Sequence, residues 1–300
     1  MREDTGLLIS TPVEGVGYQS AGALQRLGRR MTGILQSGSD MARLRHVPMP
    51  TVRFPWSQAG AALDAWPSRA DSFQVLLVSP EPELGGAQPL SDARAERVEN
   101  LIHTVRRFQP ELRVLYVLPE TLTSPQIDRF RRAAPGSTVL LVPAIFGFRD
   151  QGLLDGALAA SVRNPSLLSR PPFDASEDTP VLFAGDIASF VADAAARTDL
   201  RDLILSVPPT TRSLTEWTRA FRESFGVPSP TLRQRVAGFA GGRWTPLQTL
   251  HRGVPVAAAR PALDWFPTLL TPLARSMREI GAHHRRAADI QLVFPPGRSI

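Results

Sequence analysis

The 300-residue chain contains no cysteine, which excludes disulfides, zinc–thiolate centres and a cysteine nucleophile. Its 34 basic residues are all arginine. Without lysine there is no side-chain amine to form a Schiff base or move a proton near neutrality, and arginine is no substitute because its pKa stays above ~12. Tyrosine is scarce as well, with only Tyr18 and Tyr116. The longest apolar run, around Thr138–Phe148, is far short of the ~20 residues a bilayer needs, so no membrane span is expected. The first residues, Met1-Arg2-Glu3-Asp4, lack the basic start and long apolar middle of a signal peptide, which predicts a cytoplasmic protein. Metal chemistry is not indicated either. His46, His103 and His251 are scattered, and the adjacent pair His283-His284 would point about 100° apart on a helix, unlike a ligand pair at i, i+4. Gly-x-Ser-x-Gly, Gly-x-x-x-x-Gly-Lys and His-Glu-x-x-His patterns are missing too.

What is present fits a folded enzyme-sized unit. An apolar content of 43% supports an ordinary core, in one large domain or a domain with a smaller lobe. The formal net charge of +6 permits weak attraction to anions. Nucleic-acid binding is not expected, since it needs basic residues gathered on one face.

The stretch Gly6–Tyr18 reads as strand, loop and helix, an apolar run that stops at a turn before the helical pattern Tyr18–Arg29. A helix N-terminus in that position offers unpaired N–H groups and a positive dipole end to a pyrophosphate. Pro12 falls where the first glycine of a T-G-x-x-G-x-x-G loop would stand, Gly15 keeps the second, and Tyr18 takes the third with Gly17 one place early. Thr11, Gly15, Val16 and Gly17 are therefore the candidate cofactor-binding residues of this loop. Further strands are expected near 32–36, 51–54, 73–78, 112–118 and 138–142. Between them, Asp92–Phe108 carries Ala95, Val98, Ile102 and Val105 at helical spacing behind Ser91, an N-cap candidate. Such alternation predicts a parallel sheet with helices on both faces. Ligands bind at the carboxyl edge of open sheets of this kind, which places Ser79, at the head of the loop 79–86, at the site. Arg43, with Arg45, stands where a cofactor 2′-phosphate would be met.

Three later stretches carry a likeness. Thr138–Gly147 looks like a strand ending in R-P-x-x-V-Y-G, Val181–Ala188 looks like F-v-x-V-D-D-v-A, and Leu203–Ser206 with Ser213–Trp217 looks like y-n-v-g … s-x-x-E-l. In this order they resemble the extended, or atypical, short-chain dehydrogenases of the NAD-dependent epimerase/dehydratase-like group, over roughly residues 6–228. The resemblance implies a Rossmann-like α/β fold: a doubly wound parallel sheet with a small C-terminal α-rich substrate-type lobe. Residues 1–150 would form the Rossmann-like domain and 151–300 a mixed part, with sheet-completing segments at about 181–206 and the smaller lobe. It also adds Pro143 and Phe146 to the candidate cofactor-binding residues.

The same resemblance exposes what is missing. The group's reaction uses a tyrosine phenol as acid–base and a lysine four residues on that lowers its pKa. The expected place, Pro119–Arg132, contains neither, and the segment is too short for the usual helix and substrate loop. Glu120, Thr121 and Ser124 are weak replacement candidates. Phe54-Pro55 stands where the group has its adenine-side Gly-Asp, so the expected cofactor is none or a weakly bound NADP. The leading reading is a catalytically degenerate protein that binds a dinucleotide or related small ligand and serves as sensor, scaffold or accessory factor, with a protein partner. The alternative is an active NAD(P)-dependent oxidoreductase or nucleotide-sugar epimerase using a loop group. A third reading takes the arginine-rich tail as a nucleic-acid or membrane contact. The shortened segment also predicts a monomer or an atypical dimer. Trp265–Ile280 reads as a helix, with Leu263, Leu269 and their apolar neighbours in the core.

Overall fold

The computed structural model describes residues 6–10, 15–36, 47–54, 73–79, 91–147, 179–212, 214–225, 256, 258–266 and 269–282. The main sheet begins with β1 (Gly6–Ser10), β2 (Met31–Gln36), β3 (Thr51–Phe54), β4 (Phe73–Val78), β5 (Arg113–Pro119) and β6 (Thr138–Val142). All six expected strands are present. They run parallel, in the order β3-β2-β1-β4-β5-β6. The order reverses between β1 and β4, which makes this a doubly wound α/β sheet with a switch point at that pair.

Why these runs are strands is visible in their faces. Successive side chains of a strand point to opposite sides. Leu8, Leu76, Val114, Tyr116 and Val139 enter one core, and Leu7, Ile9, Val75, Leu77, Leu115 and Val117 enter the other. Both faces are covered by helices, so the strands read as continuous apolar runs rather than alternating ones. The first face takes α2 (Asp92–Phe108) and α3 (Ser124–Ala133), through Val98, Leu101 and Ile102 and through Ile127 and Phe130. The second takes α1 (Gly15–Arg26) and α4 (Ala184–Ala196), through Val16, Ala21 and Leu24 and through Ile187, Phe190 and Val191. Ser91 occupies the N-cap of α2 with extended backbone but makes no side-chain cap bond.

After β6 the chain changes sheet. Buried Pro143 separates β6 from β7 (Ala144–Phe146), and a residue without an N–H cannot continue a central ladder. β7 pairs in parallel with β8 (Thr179–Phe183), and β10 (Thr210–Arg212) adds antiparallel to β8, making a separate three-stranded sheet. β9 (Ile204–Ser206) returns to the main sheet beside β6, and β11 (Arg260–Pro261) extends it further. Within the segment 181–206, β9 thus completes the main sheet while β8 belongs to the small one.

The tail departs from expectation in two ways. Residues 262–264 form a 3-10 turn, and the helix, α6, spans 273–282 instead of starting at Trp265. Pro272 sets that start. Proline keeps the preceding residue extended, and its carbonyl accepts the Arg275 and Ser276 N–H groups of the first turn. Phe266 and Leu273 are core, whereas Leu263 and Leu269 are exposed, Leu269 to 92%. Phe266 is drawn in by an edge-on contact with Phe190 of α4. α5 (Leu214–Phe225) precedes this tail. Ser213, which begins the Ser213–Trp217 stretch of the likeness, lies outside the described residues.

Candidate functional site

The carboxyl ends of β1, β4, β5 and β6 meet along one edge, and the switch point lies at its centre. Ser10 ends β1 fully buried, and its hydroxyl oxygen accepts the Ser79 backbone N–H at 3.1 Å from just beyond β4. Five positions after Ser10, α1 starts at Gly15 with its N-terminus at this edge. No acid occupies the first turn of α1, so its dipole end is not neutralised from within.

Of the residues expected in the glycine loop, Gly15 opens α1, and Val16 and Gly17 are buried in its first turn. The Val16 side chain belongs to the core under the helix. Tyr18 packs into the same core. Thr11 and Arg43 lie outside the described residues.

On the other side of the switch point, the Glu120 N–H donates to the Val142 carbonyl at 2.8 Å, which draws the end of β5 against Pro143. Glu120 and Thr121 are half-buried, and the Thr121 hydroxyl oxygen is shielded from solvent with no hydrogen-bond partner among the described residues. Ser124 is exposed at the start of α3. There the Gln126 side-chain oxygen accepts the Thr123 N–H and hydroxyl, at 3.0 and 3.1 Å, and fixes the entry to the helix. Phe146 is buried with its ring 5.7 Å from Phe183, so it supports the edge from below. The fold therefore brings Ser10, Ser79, Glu120, Thr121 and Pro143 to one edge, and leaves Ser124, Val16 and Phe146 with other work.

Two features were not visible as site residues in the sequence. Ser10 shows only as the last residue of an apolar run. Asp186, in the first turn of α4, is 3% exposed and accepts the Thr271 N–H at 3.0 Å and the Thr271 hydroxyl at 2.6 Å. Burial lifts its carboxyl above the ordinary range and nearby Glu279 adds to the lift, while the two Thr271 bonds oppose it. An acid inside the apolar run Val181–Ala188 was the available signal, but its partner is 85 positions away.

Tyr116 is fully buried in β5, donating to the Phe130 carbonyl at 2.9 Å, and burial pushes its phenol far up. Both tyrosines of the chain are thus core residues. Among the described residues no cluster of three acids, histidines or cysteines could hold a metal ion, and no helix is long and apolar enough to cross a membrane.

A parallel sheet in this order, with a switch point beside a helix N-terminus, defines a Rossmann-like, doubly wound α/β architecture. No family model and no curated protein matches the sequence. Solved structures do match in fold. The dTDP-glucose 4,6-dehydratase from Bacillus anthracis, in complex with NAD, is 9% identical, covers 95% of this chain and 98% of its own, and superposes with a TM-score of 0.62. The Bordetella bronchiseptica enzyme WbmH, in complex with NAD+, is 12% identical over 94% and 98% of the two chains, with a TM-score of 0.63. A UDP-glucose 4-epimerase from Stenotrophomonas maltophila, with bound NAD and formylated UDP-arabinopyranose, is 13% identical over 94% and 99%, with a TM-score of 0.57. The chain has the fold of the NAD-dependent epimerase/dehydratase-like short-chain dehydrogenases along nearly its whole length.

Proposed function

We propose that the protein is a catalytically degenerate form of this fold, which binds a dinucleotide or related nucleotide weakly and acts by binding, as a sensor, scaffold or accessory factor. One observation carries it: the chain has no lysine, and its only tyrosines, Tyr18 and Tyr116, are both buried in the core. A phenol whose proton is held by the Phe130 carbonyl inside a sheet cannot exchange one with a substrate. Removing a positioned acid–base group typically costs about 10²–10⁴ in rate, and here both members of the pair are lost. Pro12, Tyr18 and Phe54-Pro55 support weak cofactor binding, and Arg43 with Arg45 support NADP over NAD.

The test is hydride transfer from stereospecifically deuterated NADPH and NADH across carbonyl and nucleotide-sugar substrates, alongside calorimetry with each cofactor. Turnover below roughly 0.1 per second, against typical values of ~1–10³, and affinity weaker than micromolar are expected. The Thr121 hydroxyl beside Glu120, shielded from solvent and with no partner among the described residues, favours the second reading, an active oxidoreductase or epimerase using a loop carboxylate. Faster turnover that disappears in Glu120→Gln would establish that reading instead.

A further inference from the structure

In a parallel sheet every connecting helix returns to the same edge, so the helix C-termini gather opposite the ligand side. In this chain that amino edge collects arginine. Arg29 and Arg30 immediately precede β2, Arg113 opens β5, and Arg260 opens β11. Arg106 and Arg107 end α2, Arg131 and Arg132 end α3, and Arg197 and Arg201 follow α4. Hydrogen bonds show that these connections touch one another. Arg106 reaches the Pro135 carbonyl, Arg131 reaches the Asp202 carbonyl, and Arg113 reaches the carbonyls that end α4.

Among the described residues, ten arginines stand there against four acids, Glu111, Asp193, Asp199 and Asp202. Two of the acids are already engaged: Asp199 by a paired contact with Arg197, and Asp202 by the Gly136 N–H and Arg131. Arg107, Arg132, Arg201 and Arg260 are exposed and have no carboxylate partner among the described residues. Crowding of like charge is felt locally, since Arg201 helps burial push the Arg113 guanidinium down. Attraction to helix dipoles accounts for arginines in a last turn. It does not account for Arg201 or Arg260, which sit in connections between elements.

Two large apolar side chains project from the same edge. Leu27, after α1, is 61% exposed and Phe108, at the end of α2, is 45% exposed. Phosphodiester backbones have no use for such groups, whereas the headgroup layer of a bilayer accepts apolar side chains beneath a basic surface. From β2 to β11 the edge spans six strand spacings, about 29 Å at ~4.8 Å each, enough to meet several headgroups at once.

We propose that the amino edge of the main sheet is a docking surface for an anionic lipid membrane. It is independent of the nucleotide reading, because the candidate ligand site lies on the opposite edge and stays open when this one is docked. Guanidinium groups meet lipid phosphates and carboxylates through paired hydrogen bonds, and the whole attraction is screened over ~10 Å at 0.1 M salt.

The experiment is cosedimentation of the full chain with vesicles of phosphatidylcholine alone or with 30% (about one-third) phosphatidylserine. Binding to the anionic vesicles only, at least about tenfold weaker in Arg107→Glu/Arg132→Glu and weakened again by salt, is expected. Phe108→Ser should weaken vesicle binding at fixed charge, a response that a purely electrostatic contact would not give. All substituted positions are exposed, and circular dichroism checks folding; Arg201→Glu/Arg260→Glu is the second charge variant. No binding to anionic vesicles at low salt overturns the proposal. So does tighter binding to duplex DNA that is indifferent to Phe108→Ser.

Discussion

At the scale of single residues, buried polar groups carry the checkable energetics. The Tyr116 hydroxyl donates to a carbonyl that also accepts the Ala134 N–H, so Tyr116→Phe removes one bond without stranding its acceptor. A loss of about 1 kcal/mol in urea unfolding is expected, with nucleotide binding unchanged because the ring lies inside the sheet. Asp186 is a different case. Its folded-state pKa is raised, so the folded chain holds that proton more tightly than the unfolded one. Its contribution to stability is full below the ordinary aspartate pKa of about 4 and is lost as pH rises through the raised value. Asp186→Asn keeps an acceptor for the Thr271 N–H and should flatten that part of the melting-temperature profile against pH. Asp186→Ala strands the Thr271 N–H and should cost about 1–3 kcal/mol.

At the scale of elements, α4 organises the tail. Its amino end holds Thr271 through Asp186. Just past its carboxyl end, Arg197 donates to the Trp265 carbonyl at 2.7 Å and lies over the Trp265 and Phe266 rings. The tail is thus held at both ends of α4, and α6 then meets α5 at close range. A Cβ on Gly281 would run into the Ser224 carbonyl. Backbone cannot yield as a flexible side chain can, so Gly281→Ala should destabilise by about 1–3 kcal/mol, read by thermal or urea unfolding. The α2–α3 pair is closed differently, by Arg129 bonded to both Glu99 oxygens at 2.6 and 2.9 Å and to Asp92 at 3.2 Å. That face is charged and α3 is only ten residues long. Sedimentation equilibrium should therefore give a monomer, or a dimer whose mass is unchanged by Arg129→Glu.

At the scale of the whole molecule, the two edges of the sheet differ in chemistry. One carries the amino end of α1, the buried Ser10 and Ser79 and the half-buried Glu120 and Thr121; the other carries arginine. The strands of the main sheet were legible in the sequence because buried parallel strands are short apolar runs between turn signals, as in Phe73–Val78 and Thr138–Val142. The helix Asp92–Phe108 was legible to the residue from its apolar spacing. Of Trp265–Ile280 only the part from residue 273 is helical, because the apolar residues before it mimic helical spacing while Pro272 allows the helix to begin only after it. Leu269 lies in that earlier part and is exposed rather than core.

By itself the sequence determined strands β1 to β6 of the main parallel sheet and the helix Asp92–Phe108, and it determined the chemistry that is missing, since composition excludes lysine and cysteine wherever the chain goes. Only the tertiary structure decided which residues meet. Ser10 and Ser79 are 69 positions apart, Asp186 and Thr271 are 85 apart, and the arginines of the amino edge are spread from 29 to 260. Periodicity reports the face a residue takes within its own element. Contacts across a crossover depend on strand order and direction, and those are set by the packing of elements distant in the chain.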